Sequence, residues 1–293
     1  MLERLKDRLA DWLGIPRLNH AVSFLLMRDL NVLSAAPKGP EGHAGLRTAF
    51  LHLIDVLKPD MVCDIGALDG SLALAVRDNA PGCEIIAFEA DPKTHAHHAP
   101  ALRARGVDYR NIAVSDTDGR ATIHAPRGRP EGKSSLLLRS EEAAYDDYDV
   151  EMRTLDSLFG DRPNRSFFLW IDVEGAAELV LAGAGRVLNR TLAVFVECET
   201  IPFWQEGGSA GHVAETLMKA GFVPVARDRE YGDDQFNALF VAGRVAHRLA
   251  PSLFQAGSPL RRSLAAPPAS RDRRAQPESD AAHPPARAGE RQG

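Results

Sequence analysis

Short apolar segments alternate with segments that have the apolar spacing of helices over most of the chain. An apolar segment at 61–64 precedes a helical pattern at 71–79, and another at 167–171 precedes one at 176–188. Strands that are apolar on both faces and separated by helices are typical of parallel sheets covered on both sides. The pattern therefore predicts an α/β fold with a mostly parallel sheet and helices on both faces.

The remaining elements extend this pattern and change it at the end. Further strands are predicted at 84–88, 107–114 and 192–196, and further helices at 45–57, 93–105 and 212–220. The last two strands, 222–226 and 236–241, are joined by a polar loop without a helix. Such a connection predicts a C-terminal antiparallel hairpin.

Three regions are predicted along the chain. Residues 1–44 form a helical extension, with helices at 2–13 and 21–33, and a linker rich in Gly and Pro. Residues 45–245 form the α/β domain, in which 125–149 has no clear period and is expected to be a functional or disordered loop. Residues 246–293 are rich in Pro, Ala and Arg, which predicts a disordered tail.

Composition excludes several classes of protein. The net charge is −5, which argues against a general nucleic-acid binder. The run AVSFLLM near the N-terminus is far shorter than the roughly 20 residues that span a bilayer. The amphipathic N-terminus carries acids, unlike a signal peptide, so we expect a cytoplasmic protein. Cys63, Cys83 and Cys198 lack metal-ligand spacing and are interpreted as reduced core thiols.

Acidic residues stand where several predicted strands end. Asp64 and Glu89 close the first two strands, and Asp172 and Glu197 close two later ones. In an open parallel sheet, ligands bind beyond the carboxyl ends of the strands, near the switch in strand order. Burying a carboxylate there is costly unless its charge is used, so these acids indicate a ligand site.

The glycines after the first strand indicate which ligand binds. A dinucleotide site has the pattern G-x-G-x-x-G, but Leu68 occupies the position of the second glycine between Gly66 and Gly70. S-adenosylmethionine has no phosphate and carries an ammonium and a sulfonium, which suits Asp64, while Glu89 is placed to accept the ribose hydroxyls. The structural alternatives are a helix cap for Asp64 and a packing glycine at Gly70.

Seven segments, spread over roughly residues 59–241, resemble in sequence and order those of the FkbM-type methyltransferases. They are VCDIGALDGSLAL, IIAFEADP, YRNIAVSDTDG, SSLL, VEMRTLDSL, WIDVEGAAELVLAGA and VFVECE. The resemblance implies a class I, Rossmann-like fold that depends on S-adenosylmethionine. It also implies O-methylation of a hydroxyl on a sugar, glycan or natural product.

The resemblance carries roles over by position. Asp64, Gly66 and Gly70 would line the methionine end of the cofactor, Asn111 would lie beside the adenine, and Asp172 would face the transferred methyl group. The complete set of predicted cofactor-binding residues is Asp64, Gly66, Ala67, Gly70, Glu89, Ala90, Asn111, Ala113 and Asp172.

The chain departs from the family at three positions. The family usually has Asn at Leu68, often Lys at Trp170 and often Glu at Ala177. The first change removes a polar contact near the cofactor. The other two indicate a different substrate pocket or weaker catalysis.

Methyl transfer to oxygen requires proximity and a deprotonated hydroxyl. The predicted catalytic residues are Asp172, Glu174 and Glu197, one of which would act as general base. The alternative is that these acids and Glu199 hold a divalent cation such as Mg²⁺ that acidifies the hydroxyl, but we predict no metal ligand. The run HAHH at 95–98 resembles a zinc site and is interpreted as a solvated helix face.

Two rival functions remain open. The chain could be a binding module that retains the S-adenosylmethionine pocket without catalysis, or a nicotinamide-dependent oxidoreductase, which the missing glycine disfavours. The expected partner is a small-molecule or glycan acceptor.

Overall fold

The computed structural model describes residues 40–140, 144–201, 203–228, 234–245 and 248. The helices are α1 (Pro40–Leu57), α2 (Ser71–Asn79), α3 (Pro92–Ala104), α4 (Leu155–Phe159), α5 (Ala177–Ala182), α6 (Gly185–Leu188) and α7 (Ala210–Lys219). The strands are β1 (Met61–Ile65), β2 (Glu84–Phe88), β3 (Asp108–Arg110), β4 (Ala113–Val114), β5 (Gly119–Pro126), β6 (Tyr145–Arg153), β7 (Phe167–Ile171), β8 (Thr191–Glu199), β9 (Phe222–Arg227) and β10 (Gln235–Ala242).

Seven of these strands form the central sheet, in the order β3-β2-β1-β7-β8-β10-β9. Strands β3, β2, β1, β7 and β8 pair in parallel, and β10 runs antiparallel to both β8 and β9. The predicted parallel sheet and C-terminal hairpin are therefore confirmed. The strand order reverses between β1 and β7, which is where an open α/β sheet binds its ligands.

Helices cover both faces of this sheet. Phe50 of α1 packs against Phe168, whereas Phe159 of α4 packs against Phe167 and Phe88. Successive residues of a strand point to opposite faces, so the two helices lie on opposite sides. All five residues of β1 and of β7 are buried, which explains why these strands are apolar except at Asp64, which lies one residue before the end of β1 and does not close it as predicted.

A second, three-stranded sheet has the order β4-β6-β5 and was not predicted. The single strand predicted at 107–114 is two strands, β3 in the central sheet and β4 in the small one. Most of the aperiodic segment 125–149 belongs to the antiparallel pair of β5 and β6 or to the loop between them. Most residues of β5 and β6 are half-buried or exposed, around a small core of Ala113, Ile123 and Val150, so these strands lack the hydrophobic period that identifies a strand.

Helices α3 and α7 begin and end within two residues of their predicted bounds, and two other helices differ more from the prediction. Helix α1 begins at Pro40 and not at residue 45, and proline is favoured in the first turn of a helix. The helix predicted at 176–188 is interrupted between α5 and α6. At Gly183 a Cβ would lie 2.1 Å from the Ser115 carbonyl oxygen, so only glycine permits this close approach.

Other predictions fall on residues whose structure is not described. The helices at 2–13 and 21–33 and the tail from 246, except Arg248, lie outside the described residues. Among the helices that the structure describes, none has the length and apolar character needed to cross a membrane.

Candidate active site

A cavity of about 580 Å³ lies at the carboxyl ends of β1, β2, β7 and β8. Its volume is within the range of small-molecule sites. One wall consists of the turns that follow the strands, and the loop between β5 and β6 forms another. The lining residues are His43, Ile65, Gly66, Leu68, Phe88, Glu89, Ala90, Ile112, Ala113, Val114, Ile123, Pro130, Glu131, Gly132, Lys133, Ser134, Ser135, Leu136, Asp172, Val173, Glu174, Ala176, Glu197 and Asn237.

The turn after β1 brings backbone to the floor of the cavity. The amides of Gly66 and Ala67 both donate to the Phe88 carbonyl at 2.9 Å. Gly66 has φ +81°, and a Cβ there would lie 1.8 Å from the Asp172 carbonyl oxygen. Any larger residue would separate β1 from the end of β7, so this position requires glycine.

Glu89, at the end of β2, is held by two backbone amides. Its Oε2 accepts from the Leu68 N–H at 3.0 Å and its Oε1 from the Asp91 N–H at 2.8 Å. Burial raises the pKa of Glu89 to about 7, although both N–H groups lower it. Each carboxylate oxygen has further lone pairs, so Glu89 can accept additional hydrogen bonds from a ligand in the cavity.

Leu68 connects the glycine turn to its neighbours. It has φ +46°, a conformation in which asparagine is favoured over leucine. Its carbonyl accepts a hydrogen bond from the Tyr109 hydroxyl at 2.6 Å, and its amide is bound by Glu89. These two contacts hold the turn in place without the asparagine that is usual in the family.

Carboxylates gather at the other end of the cavity. Burial raises the pKa of Glu197 well above its usual range, and the charge of Asp172 raises it further. Burial and the charge of Glu174 raise the pKa of Glu199 to about 7. Burial and, to a smaller extent, the charge of Asp172 raise the pKa of Asp64 to about 7. This end of the cavity therefore favours a cation.

Two carboxylate oxygens in this cluster are buried without a partner. Asp64 Oδ2 and Glu197 Oε2 have no hydrogen-bond partner among the described residues. The second oxygen of Glu197 accepts from Gln235 Nε2 at 2.6 Å. Buried polar atoms are normally satisfied, so the orphaned oxygen of Glu197, which lines the cavity, indicates that a ligand supplies its missing contact.

The loop between β5 and β6 contributes the cation of the site, and we call residues 127–140 the β5–β6 loop. Lys133 Nζ lies 2.6 Å from Glu174 Oε1, and the Ser135 hydroxyl donates to the Glu174 carbonyl at 2.6 Å. The Ser134 hydroxyl donates to Asp91 Oδ2 at 2.6 Å. The loop therefore bridges the ends of β2 and β7 over the cavity.

Two further polar residues of the lining were not predicted. His43 comes from a segment interpreted as a linker, and Asn237 from the apolar strand β10. Their side chains lie 3.2 Å apart, and Asn237 Nδ2 donates to the buried Asp228 Oδ2 at 2.8 Å. A lone Asn within an apolar strand is a sequence signal that could have identified Asn237. Ser134 and Ser135 also line the cavity, and they belong to the segment SSLL, one of the seven that resemble the FkbM-type methyltransferases.

Most of the predicted site residues meet at the cavity. Among those that do not line it, Asn111 donates to the carbonyls of Glu89 and Ala90 and so shapes the wall. At Gly70, φ is +67° and a Cβ would lie 2.5 Å from Leu102, so this glycine permits close packing of α3. The predicted residues in the lining are Gly66, Glu89, Ala90, Ala113, Asp172, Glu174 and Glu197, and those outside it are Asp64, Ala67, Gly70 and Asn111.

Two of the departures from the family pattern lie outside the cavity lining. Trp170 is buried against α1, where it packs on Phe50 and stacks on Phe195. Ala177 is buried at the start of α5. Aromatic packing under α1 thus occupies the position where the family often has lysine.

The family is shown by comparison of the sequence with known domains. Residues 64–224 match the model of the methyltransferase FkbM domain, which is more than half of the chain. The chain belongs to the FkbM methyltransferase family. The resemblance seen in the sequence is therefore confirmed, and so is the class I methyltransferase fold, mostly parallel with a C-terminal antiparallel hairpin.

One relative with a named activity is similar to this chain over part of its length. The 2-O-methyltransferase NoeI of Sinorhizobium fredii (strain NBRC 101917 / NGR234) is 30% identical over 158 residues, which is 48% of this chain and 64% of NoeI. The match therefore spans less than two thirds of that relative.

Solved structures resemble the FkbM protein more distantly. A precorrin-6y C5,15-methyltransferase from Geobacter metallireducens GS-15 is 16% identical, with a TM-score of 0.38 over 67% of this chain and 86% of that one. A putative O-methyltransferase from Klebsiella pneumoniae is 13% identical, with a TM-score of 0.39 over 82% and 96%. Magnesium protoporphyrin IX methyltransferase from Synechocystis PCC 6803, solved with bound SAM, is 10% identical, with a TM-score of 0.36 over 81% and 96%. The assignment to the family stands on the sequence match.

Proposed function

We propose that this FkbM protein is an S-adenosylmethionine-dependent O-methyltransferase that acts on a hydroxyl of a sugar, glycan or natural product. The observation that carries the proposal is the buried carboxylate cluster on β1 and β8 and directly after β7, in which Asp64 Oδ2 and Glu197 Oε2 have no hydrogen-bond partner among the described residues. A ligand with an ammonium and a sulfonium would relieve the repulsion that raises the pKa values there.

The rest of the cavity fits the remaining parts of the cofactor. Gly66 brings backbone close to the ligand, and Glu89 is placed to accept the ribose hydroxyls. The lining at Ile112, Ala113 and Val114 is apolar and suits the adenine ring. When bound, S-adenosylmethionine supplies a methyl group carried by a positively charged sulfur.

The residues at the acidic end would prepare the acceptor. Glu174 pairs with Lys133, and Asp172 and Glu197 are the other two predicted catalytic carboxylates in the lining, either of which could take the proton of the acceptor hydroxyl. Burial raises the pKa of Glu197 well above its usual range and so favours its protonated form, which makes Glu197 less suited to accept a proton. We assign the base role to Asp172, which lies at the end of β7 beside the glycine turn. The deprotonated hydroxyl oxygen would be the acceptor of the methyl group that the cofactor supplies, with S-adenosylhomocysteine as the leaving group.

The proposal of an oxygen acceptor rests on two points. The name of NoeI states a 2-O-methyltransferase activity for that relative. The acceptor end of the cavity is polar, with His43, Lys133 and Asn237 beside the acids, which suits a ligand with several hydroxyls.

The same features weigh against the rival functions. A dinucleotide carries two phosphates, which the carboxylate cluster would repel. The rival of an inactive binding module is supported by the departures at Leu68, Trp170 and Ala177. Trp170 and Ala177 lie outside the cavity lining, and Leu68, which lines it, is held by Tyr109 and Glu89.

Cofactor binding is tested with a matched pair of variants on one strand. Glu89→Gln should weaken S-adenosylmethionine by about 1.5–3 kcal/mol, the size of hydrogen bonds to a charged group. Glu84→Gln, at the exposed start of β2, is the control and should bind as the wild type does. Titration calorimetry measures both, with NAD as the competing candidate. Equal affinity of the two variants for S-adenosylmethionine, or tighter binding of NAD, would contradict the assignment.

The acceptor is tested by turnover. The protein should transfer a radiolabelled methyl group to at least one member of a panel of sugars, glycans and hydroxylated natural products, and NMR of the product should place that methyl group on oxygen. Methylation on nitrogen or carbon would refute the O-methyltransferase assignment.

A further inference from the structure

A cluster of metal-ligating side chains lies on the outer side of the cavity wall. His97 and His98 lie on α3, and Glu131 lies on the β5–β6 loop. The two imidazole rings have centroids 4.6 Å apart, and His98 Nε2 is 3.1 Å from Glu131 Oε2. One ligand atom from each of the three residues lies within 4.8 Å of the others.

The third ligand distinguishes this cluster from an ordinary solvated helix face. In the sequence, HAHH provides two adjacent histidines and no obvious further ligand. The fold supplies Glu131 from 33 residues away, through the hairpin of β5 and β6. Two imidazole nitrogens and one carboxylate oxygen form the His₂Glu set that zinc accepts, with a fourth position left for water.

The geometry requires small adjustments. Ligand atoms around tetrahedral zinc are about 3.3 Å apart, given zinc–ligand distances of 2.0–2.2 Å. The side chain of Glu131 is 51% exposed and that of His98 is 22% exposed, so both can rotate without disturbing the core. The His98–Glu131 distance is already close to the value required.

We propose that His97, His98 and Glu131 bind a divalent transition-metal ion, with zinc as the best match. Imidazole ligands favour zinc and its neighbours over Mg²⁺ or Ca²⁺. Glu131 also lines the cavity, and at the next residue, Gly132, a Cβ would lie 3.2 Å from the Leu68 side chain. The ion would thus fasten the β5–β6 loop to α3 beside the glycine turn, a structural role separate from the methyl-transfer chemistry.

Zinc titration of the tag-free full-length protein tests the site, because a polyhistidine tag would itself bind zinc. Calorimetry should show one zinc site in the wild type that His98→Ala and Glu131→Gln each weaken. Loss of a group that hydrogen-bonds to a metal ligand costs about 10–100-fold in metal affinity, so loss of a ligand itself should cost at least as much. His52→Ala, on α1 and outside the cluster, is the control and should bind as the wild type does.

Two results would overturn the proposal. One is a wild-type protein that binds no more zinc than His98→Ala. The other is equal zinc affinity in Glu131→Gln and His52→Ala. Circular dichroism of each variant establishes that it is folded before the titrations are compared.

Discussion

Single carboxylates in this FkbM protein have different surroundings, although they lie at one edge of the sheet. Glu89 is bound by two backbone amides, Glu174 is paired with Lys133, and Asp64 keeps one oxygen without a partner among the described residues. Because of these partners, Glu89 can hold a ligand, the charge of Glu174 is neutralised, and Asp64 destabilises the folded protein when it is ionised. Two predictions concern single carboxylates, Asp172 and Asp64.

Asp172→Asn preserves shape and removes charge. If Asp172 is the general base, turnover should fall by about 10²–10⁴, the usual contribution of acid–base catalysis. Cofactor affinity, measured by calorimetry, should change far less. Glu197→Gln is the companion variant, because it removes the charge of the second candidate base in the lining. Near-normal turnover of Asp172→Asn, with a large loss in Glu197→Gln, would transfer the role of the base to Glu197.

Asp64 should make stability depend on pH. Its pKa is about 7 in the folded protein and near 3.8 in the unfolded chain, so the folded state holds a proton that the unfolded state releases between these values. The free energy of unfolding should therefore fall as the pH rises through this window and level off above about pH 7. Between pH 5 and pH 8, the free energy of unfolding of Asp64→Asn should fall less than that of the wild type, by about 2 kcal/mol.

Urea denaturation at the two pH values measures this difference. Asp78→Asn is the control, because Asp78 is 59% exposed and paired with Arg105. If the loss of stability with pH is as large in Asp64→Asn as in the wild type, other acids with raised pKa values, such as Glu89, account for it.

At the scale of elements, the β5–β6 loop is what completes the site. It places Lys133 and Ser135 on Glu174 and Ser134 on Asp91, so that two strand ends of the central sheet share one cover. The small sheet holds the ends of this loop, since β5 and β6 pair along their length.

Lys133→Met should lower turnover by about tenfold or more, because it leaves the largely buried Glu174 without its cation beside the reacting groups. Lys93→Met removes a comparable ion pair, to Asp146, in which the Lys93 side chain is 68% exposed. Exposed pairs contribute little, so this control should retain wild-type turnover. Steady-state kinetics on one substrate compares the two variants. Equal activities would show that the loop covers the site without tuning its charge.

At the scale of the whole molecule, the domain continues a few residues past its last strand. Val245 is buried, the Arg244 guanidinium donates to the Thr191 carbonyl, and that of Arg248 donates to the Val56 carbonyl. These contacts join the end of the domain to the core under α1. The boundary predicted at residue 245 remains a prediction, and the contact of Arg248 suggests that the domain extends to that residue.

Truncation tests this boundary. A chain that ends after Arg248 should keep the melting temperature and cofactor affinity of the full chain. A chain that ends after Gly243 loses the burial of Val245 and two hydrogen bonds, and should melt several degrees lower, since about 1 kcal/mol corresponds to about 2–4 °C in a domain of this size. Differential scanning calorimetry compares the three chains. A large drop in the melting temperature of the chain that ends after Arg248 would show that residues beyond 248 stabilise the domain.

Local pattern was enough for the central sheet and for part of the site. Strands β1, β7 and β8 are buried on both faces, so their apolar runs are visible in the sequence, and the acids at their ends mark the binding edge. The small sheet was missed because β5 and β6 are exposed and carry no such pattern. His43 was missed because it lies at the start of a helix whose first residues have the composition of a linker.

The sequence by itself determined the strand segments of the central sheet, its antiparallel end and the family, because each depends on neighbouring residues or on motifs in order. The tertiary structure alone decided that Lys133 neutralises Glu174, that Asn237 and His43 meet at the cavity, and that Glu131 joins the histidines of α3. These contacts link residues that are between 33 and 194 positions apart. Such pairs are brought together by burial of the shared core and by strand pairing, which no local pattern of residues specifies.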